Sequence, residues 1–77
     1  MTRALAKELA PTIRVNAIAP GMVSLPEDPP EWDQNYSQRA PLKRSGRPGE
    51  IADAVTFLIN LEFVTGQVLV LDGGRSL

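Results

Sequence analysis

The strongest constraint on the fold is an apolar run near the end of the chain. Residues 68–71 are Val, Leu, Val and Leu, and the run ends abruptly at Asp72-Gly73-Gly74. Strands with one solvent-exposed face alternate apolar and polar residues, so an unbroken run of this length predicts a strand buried on both faces. Such strands belong mainly to parallel sheets covered by helices. The run therefore predicts an α/β protein.

A second strand and a long helix extend this prediction. Residues 13–19 alternate between two faces and end at Pro20-Gly21, a pattern that predicts a strand followed by a sharp turn. A long helix is predicted to begin at Pro48 and to close at Asn60 in the left-handed conformation. Its apolar stripe, which we expect to pack in the core, consists of Ile51, Val55, Leu58 and Ile59. Two strands joined through a helix form a right-handed parallel crossover.

Two further helices complete the predicted order. Residues 2–10 are rich in Ala and Leu, and Pro11 ends this helix. A short helix over residues 29–39 is predicted to begin with Asp28 as its N-cap. The resulting order is helix, strand, loop with short helix, long helix and strand, in a single partial domain that spans residues 1–77.

Charge and composition exclude several classes of function. The formal net charge of the 77 residues is −1, which gives no strong attraction to nucleic acid or to an anionic membrane. The chain has no Cys and no His, so it offers neither a disulfide framework nor the usual ligands of zinc. It has no signal-peptide core and no apolar run long enough to cross a bilayer. We therefore expect a cytoplasmic protein with no nucleic-acid, membrane or metal partner.

Three blocks of sequence resemble the C-terminal part of the short-chain dehydrogenase/reductase family. Residues 13–21 resemble its sixth strand and Pro-Gly turn, residues 47–52 resemble the start of its last long helix, and residues 63–74 resemble its last turn, last strand and closing Asp-Gly-Gly. The blocks occur in the family's order. The resemblance implies a partial Rossmann-like fold, the C-terminal helix-strand-helix-helix-strand portion of a doubly wound parallel sheet, with a substrate loop at about residues 22–47.

The resemblance is closer still to bacterial pteridine reductases. It includes the ending at residues 72–77, the Pro-rich loop with Trp32, the sequence Ala40-Pro41-Leu42, and the short link between Ile59 and Phe63. This branch implies an NADPH-dependent reductase that acts on a small pterin-like molecule and, at full length, forms a homo-oligomer. Another short-chain reductase, such as a 3-oxoacyl-carrier-protein reductase, remains an alternative. A non-catalytic assembly module is an alternative of a different class.

The resemblance also implies which residues face the cofactor and the substrate. The cofactor-binding candidates are Pro20, Gly21, Met22, Val23 and Ser24, and the substrate-binding candidates are Leu25 and Trp32. Val23 would contact the nicotinamide carboxamide through its backbone, and Gly21 would allow close approach to the cofactor ring. Ser24 is a candidate phosphate contact, although the family often has Thr at the position of Leu25.

The aromatic and basic residues of the loop have alternative interpretations. Trp32 either lines a pocket for a flat heteroaromatic substrate or packs the short helix onto the body. For Tyr36 the packing role is favoured. Lys43, Arg44 and Arg47 form a small basic cluster that we expect to be a solvated surface loop.

The residues that carry out the family's chemistry have no counterpart in the sequence. Neither the Gly-rich dinucleotide turn nor the Tyr-x-x-x-Lys pair with its Ser is present, and Tyr36 has Ala40 four residues later where Lys is required. We therefore assign no catalytic residue and expect the chain alone to be inactive. By resemblance, Met1 is expected to correspond to an internal position just after the catalytic Lys.

Overall fold

The computed structural model describes residues 1–77 and contains three helices and two strands. In chain order they are α1 (Thr2–Leu9), β1 (Ala17–Pro20), α2 (Pro30–Arg39), α3 (Pro48–Asn60) and β2 (Val68–Leu71). The predicted order of elements is therefore confirmed, as is the α/β class.

The two strands form a parallel sheet. Ala17 pairs with Val68 and Pro20 pairs with Leu71, while the connection between the strands contains α2 and α3. Because parallel strands in this register end together, the residues that follow Pro20 and Leu71 meet at the same edge of the sheet.

Strand β1 is shorter than predicted, because side chains replace the regular ladder before Ala17. The Asn16 side chain donates to the Val64 carbonyl oxygen at 3.0 Å and accepts from the Gln67 N–H at 3.1 Å. The Thr65 hydroxyl accepts from the Val15 N–H at 3.1 Å. Side-chain bonds of this kind compete with strand pairing, so residues 13–16 are not strand.

Helix α3 ends at Asn60, but Asn60 does not adopt the predicted left-handed conformation. Lys43 is the one residue other than glycine with positive φ, and the capping residue of α3, Leu61, has φ −89°. The last carbonyl groups of a helix have no hydrogen-bond donors within the helix. Here the Arg14 guanidinium is the donor. It donates to Leu58 and Ile59 at 3.1 and 2.8 Å, and beyond the helix to Leu61 and Val64 at 2.8 and 3.3 Å.

The start of α2 also differs from the prediction. Its N-cap is Pro29, and the helix begins at Pro30. Asp28 is not the cap, because its carboxylate accepts a 3.0 Å hydrogen bond from the N–H of Leu25 and closes the preceding loop instead. The first turn of α3 contains an acidic residue, Glu50, whose carboxylate accepts a hydrogen bond from the Arg47 N–H at 3.0 Å.

The chain buries little of itself. Ala6, Ala40, Ser45 and Ala54 are the only buried residues of the 77. The radius of gyration is 14.9 Å, whereas a compact domain of this length has about 11.5 Å. The apolar faces of the sheet and of α3 are therefore largely uncovered within residues 1–77.

Two predictions of burial are wrong for this reason. Val55 and Ile59 of the α3 stripe are 43% and 63% exposed, and Val68 and Val70 on one face of β2 are each 52% exposed. Helix α3 contacts β1, but this contact leaves both faces partly open. The stripe and β1 line an open apolar cavity of about 450 Å³.

None of the three helices combines the length and the apolar character that a membrane crossing needs. No group of acidic, His or Cys side chains in residues 1–77 is arranged to hold a metal ion.

Candidate functional site

The candidate site lies where both strands end. The N–H of Gly21 donates to the Leu71 carbonyl oxygen at 2.9 Å, so the turn after β1 lies directly beside the turn after β2. A cavity of about 290 Å³ opens here, with Val23, Gly46 and Asp72 among its lining residues. Open α/β sheets bind ligands at the carboxyl ends of their strands, which makes this edge the first place to examine.

The segment after Gly21 is attached to Gly46. The Gly46 N–H donates to the Met22 carbonyl oxygen at 2.8 Å, and the Ser24 N–H donates to the Gly46 carbonyl oxygen at 3.0 Å. These two bonds form a parallel bridge between Val23 and Gly46. In such a bridge the bonds use the groups on either side of Val23, so its own N–H and C=O point away from Gly46.

Val23 therefore presents an unused donor and an unused acceptor. Neither its N–H nor its C=O forms a hydrogen bond within the chain, and the residue is only half-buried. The Ser24 hydroxyl, also half-buried, has no partner within the chain either. A donor and an acceptor on one residue match the hydrogen-bonding groups of a primary carboxamide.

Gly21 is required by packing at this edge. A Cβ atom at this position would lie 2.9 Å from Cβ and 3.0 Å from Cα of Asp72, and it would overlap the Tyr36 hydroxyl. The Tyr36 hydroxyl donates a 2.5 Å hydrogen bond to the Asp72 carbonyl oxygen. The sequence predicted a packing role for Tyr36 but did not indicate this bond. The space beside Gly21, which we expected to admit a cofactor ring, holds the tyrosine hydroxyl.

Asp72 fixes the turn after β2. Its carboxylate accepts from the N–H groups of Gly74 and Ser76 at 2.9 and 3.0 Å. A hydrogen bond from the Ser76 side chain, together with those from these backbone groups, holds the pKa of the Asp72 carboxyl below its ordinary value. The Asp-Gly-Gly sequence thus has a structural role in the chain, and the Asp72 carbonyl oxygen is the acceptor for Tyr36.

The two substrate-binding candidates lie outside this packed region. Leu25 is exposed in the loop and Trp32 is 54% exposed on α2. Half of the Trp32 side chain therefore remains accessible to a ligand, while the other half is covered by the chain. Tyr36 and Asp33 also hold α2 against the rest of the chain, and Asp33 accepts a hydrogen bond from the buried Ser45 hydroxyl.

The basic cluster is a set of surface side chains, of which Arg44 is paired. Its guanidinium donates two 2.7 Å hydrogen bonds to the Glu50 carboxylate. The hydrogen bond from Arg44, assisted by the Arg47 N–H, lowers the pKa of Glu50 to about 2. Lys43 donates to the Gln38 carbonyl oxygen at 3.3 Å. These pairings support the predicted surface role.

Known proteins match the chain over nearly its full length. The family model described as enoyl-(acyl carrier protein) reductase matches residues 1–76. The chain is 44% identical over 77 residues to human 3-oxoacyl-[acyl-carrier-protein] reductase and 41% identical over 78 residues to dihydromonapterin reductase from Escherichia coli. The matches cover 99% and 100% of the chain but 32% of each relative, so the chain spans about a third of the length of these curated relatives.

Solved structures also match the fold of the chain over nearly its full length. The crystal structure of alternative dihydrofolate reductase 1 (FolM) from Brucella canis, complexed with NADP, superposes with a TM-score of 0.81 at 42% identity. The superposition covers 96% of this chain and 29% of that protein. The parallel sheet and three helices thus match part of a Rossmann fold, and the chain belongs to the short-chain dehydrogenase/reductase family.

Proposed function

We propose that the chain supplies the nicotinamide-facing turn and the substrate loop of an NADPH-dependent reductase that acts on a pterin-like substrate. The observation that carries this proposal is the unpaired N–H and C=O of Val23 at the carboxyl edge of the sheet. A carboxamide has one group to accept from this N–H and another to donate to this C=O, so Val23 would hold the nicotinamide end of the cofactor.

The other candidate residues have supporting roles. The free hydroxyl of Ser24 would donate to a phosphate oxygen of the cofactor. Gly21 keeps the turn narrow, because its backbone lies directly against Asp72 and Tyr36. Pro20 and Met22 set the path of the backbone on either side of it. When bound, the cofactor would supply the hydride, and residues 20–24 would bind and orient it.

The substrate side is open in a way that suits a flat ring. The exposed face of Trp32 offers a stacking surface, and Leu25 adds an apolar contact from the same loop. The pterin assignment rests on this aromatic surface and on the similarity to dihydromonapterin reductase. The 44% identity to human 3-oxoacyl-[acyl-carrier-protein] reductase supports an acyl substrate as the second candidate.

A graft tests the reductase proposal. Residues 1–77 replace the matching third of the Escherichia coli dihydromonapterin reductase in one hybrid and the matching third of the human 3-oxoacyl reductase in another. We expect NADPH-dependent turnover of dihydromonapterin in the first hybrid and little turnover of an acetoacetyl thioester in the second. The reverse pattern would favour the acyl substrate. Two folded hybrids that bind no NADPH would contradict the assignment of residues 20–24.

A non-catalytic assembly module remains a second candidate function, supported by the exposed apolar faces. Only four residues are buried, and the cavity beside α3 is lined mainly by apolar side chains. Exposed faces of this kind favour association. Two measurements on the purified chain distinguish the candidates: sedimentation for self-association and a titration for NADPH binding. Self-association without NADPH binding supports the module, whereas NADPH binding supports the reductase assignment. Since no Tyr-x-x-x-Lys pair is present, we expect no turnover by the chain alone.

A further inference from the structure

Helix α2 has no fully buried side chain. None of its ten residues is buried, and its largest side chain, Trp32, is half exposed. Burial of apolar area, the usual source of helix docking, is therefore limited to the partly covered rings of Trp32 and Tyr36. Polar contacts therefore add direction to an attachment that apolar burial alone leaves incomplete.

Two hydrogen bonds made by side chains of α2 attach it to the rest of the chain. The Tyr36 hydroxyl donates to the Asp72 carbonyl oxygen at 2.5 Å, and the Asp33 carboxylate accepts from the Ser45 hydroxyl. Asp33 and Tyr36 are three residues apart and therefore lie on the same face of the helix. One of these bonds reaches the end of β2 and the other reaches the segment before α3.

The Tyr36 bond reaches the cofactor-facing turn because Gly21 leaves space for it. Any side chain at position 21 would overlap the tyrosine hydroxyl, as the position of its Cβ atom shows. Gly21 in turn is bonded to Leu71, the residue before Asp72. A single hydroxyl thus contacts the residues that follow both strands.

We propose that Tyr36 is a positioning residue that fixes α2 relative to the cofactor-facing turn, acting through Asp72 and Gly21. Because Trp32 lies one helical turn before Tyr36, the same bond fixes the orientation of the aromatic surface. The attachment of α2 is a property of the chain itself. Its consequence for substrate binding rests on the proposed function.

Hydrogen exchange of the chain, without any cofactor, tests the attachment. One partly buried hydrogen bond contributes modestly, so we expect Tyr36→Phe to accelerate exchange of the amides in residues 34–40 by about three- to tenfold. The amides of β1, β2 and α3 should keep their rates. Ser37→Ala, which removes a neighbouring hydroxyl that makes no hydrogen bond within the chain, is the matched control and should not accelerate exchange, since Ala favours the helix.

A second variant tests the role of Gly21. Gly21→Ala places a methyl group where the tyrosine hydroxyl lies, so it should accelerate exchange in residues 34–40 at least as much as Tyr36→Phe. Because both changes break the same contact, adding Tyr36→Phe to Gly21→Ala should have little further effect. The proposal is overturned by unchanged exchange in Tyr36→Phe, or by acceleration that is equal in all elements.

Kinetics of the grafted reductase separate positioning from stability. We expect Tyr36→Phe to raise KM for the pterin by about three- to tenfold while kcat and the Kd for NADPH stay unchanged, since the variant alters the placement of the substrate surface alone. A purely structural role would instead reduce the amount of active enzyme and leave KM constant. An inactive graft would count against the proposed function and leave the exchange result valid, whereas an active graft with unchanged KM would overturn the positioning role.

Discussion

The guanidinium of Arg14 donates a 2.8 Å hydrogen bond to the carbonyl oxygen of Leu61, 47 residues later in the chain. Together with the bonds to Leu58, Ile59 and Val64, it joins the segment that enters β1 to the end of α3. A cation at the carboxyl end of a helix also interacts favourably with the helix dipole. Arg14 therefore performs the function that the sequence assigned to a left-handed Asn60.

Replacing Arg14 with Lys should destabilise the chain. Lysine keeps the positive charge but presents one ammonium group instead of a planar fork, so it cannot bond four carbonyls at once. We expect a loss of about 1–2 kcal/mol in the free energy of unfolding, measured by urea unfolding followed by circular dichroism. Arg3→Lys on α1 is the control, because the Arg3 side chain makes no hydrogen bond within the chain. Equal midpoints for Arg14→Lys and the wild type would show that the capping bonds add nothing.

The ion pair between Arg44 and Glu50 predicts a loss of stability in acid. The pKa of Glu50 in the folded chain is about 2, below its ordinary value of 4.5. The folded state thus binds this proton more weakly than the unfolded state does. The contribution is complete above pH 4.5 and declines as the pH falls from 4.5 towards 2.

Glu50→Gln should flatten this acid transition, because it removes the group that titrates. Helicity followed by circular dichroism from pH 6 to pH 2 measures the effect. Asp53→Asn on the same helix is the matched control, since the only ion pair in residues 1–77 joins Arg44 and Glu50. If both variants follow the wild-type curve, Glu50 does not set the acid sensitivity of α3.

Two glycines should respond in opposite ways to substitution by Ala. Gly74 has φ +87°, and an added Cβ would lie 2.9 to 3.2 Å from atoms of Pro41. Gly49 lies in the first turn of α3, and its added Cβ would have no neighbour within 4 Å. We expect Gly74→Ala to cost about 1–3 kcal/mol and Gly49→Ala to gain about 0.5 kcal/mol, measured from thermal unfolding. A stabilising Gly74→Ala would contradict the described turn.

Local sequence patterns predicted the elements well, because each element is bounded by residues with strong local preferences. Pro48 begins α3 and the Asp-Gly-Gly sequence ends β2, as the pattern indicated. The apolar run of β2 also predicted its parallel pairing. The same run predicted burial on both faces, which residues 1–77 do not provide. An apolar pattern predicts that a strand is suited to burial, but it does not identify the element that buries the strand.

The contacts that shape the candidate site could not be predicted in the same way. Tyr36 and Arg14 both donate to backbone carbonyl oxygens, which every residue carries, at separations of 36 and 44 to 50 residues. No side-chain pattern marks such an acceptor. The one local signal was Gly21, which was assigned to cofactor approach and in the structure makes room for Tyr36.

The role of the Val23 backbone is the most direct test of the site. Val23→Pro removes the N–H and keeps the C=O. It breaks no bond within the chain, because that N–H is unpaired. Proline also restricts the residue before it to extended backbone, which suits the bridged segment around Val23.

In the grafted reductase we expect Val23→Pro to raise the Kd for NADPH about tenfold, the effect of one lost hydrogen bond. Val23→Ala, which keeps both backbone groups, should bind NADPH as the parent does, and equal weakening in both variants would assign the effect to the side chain.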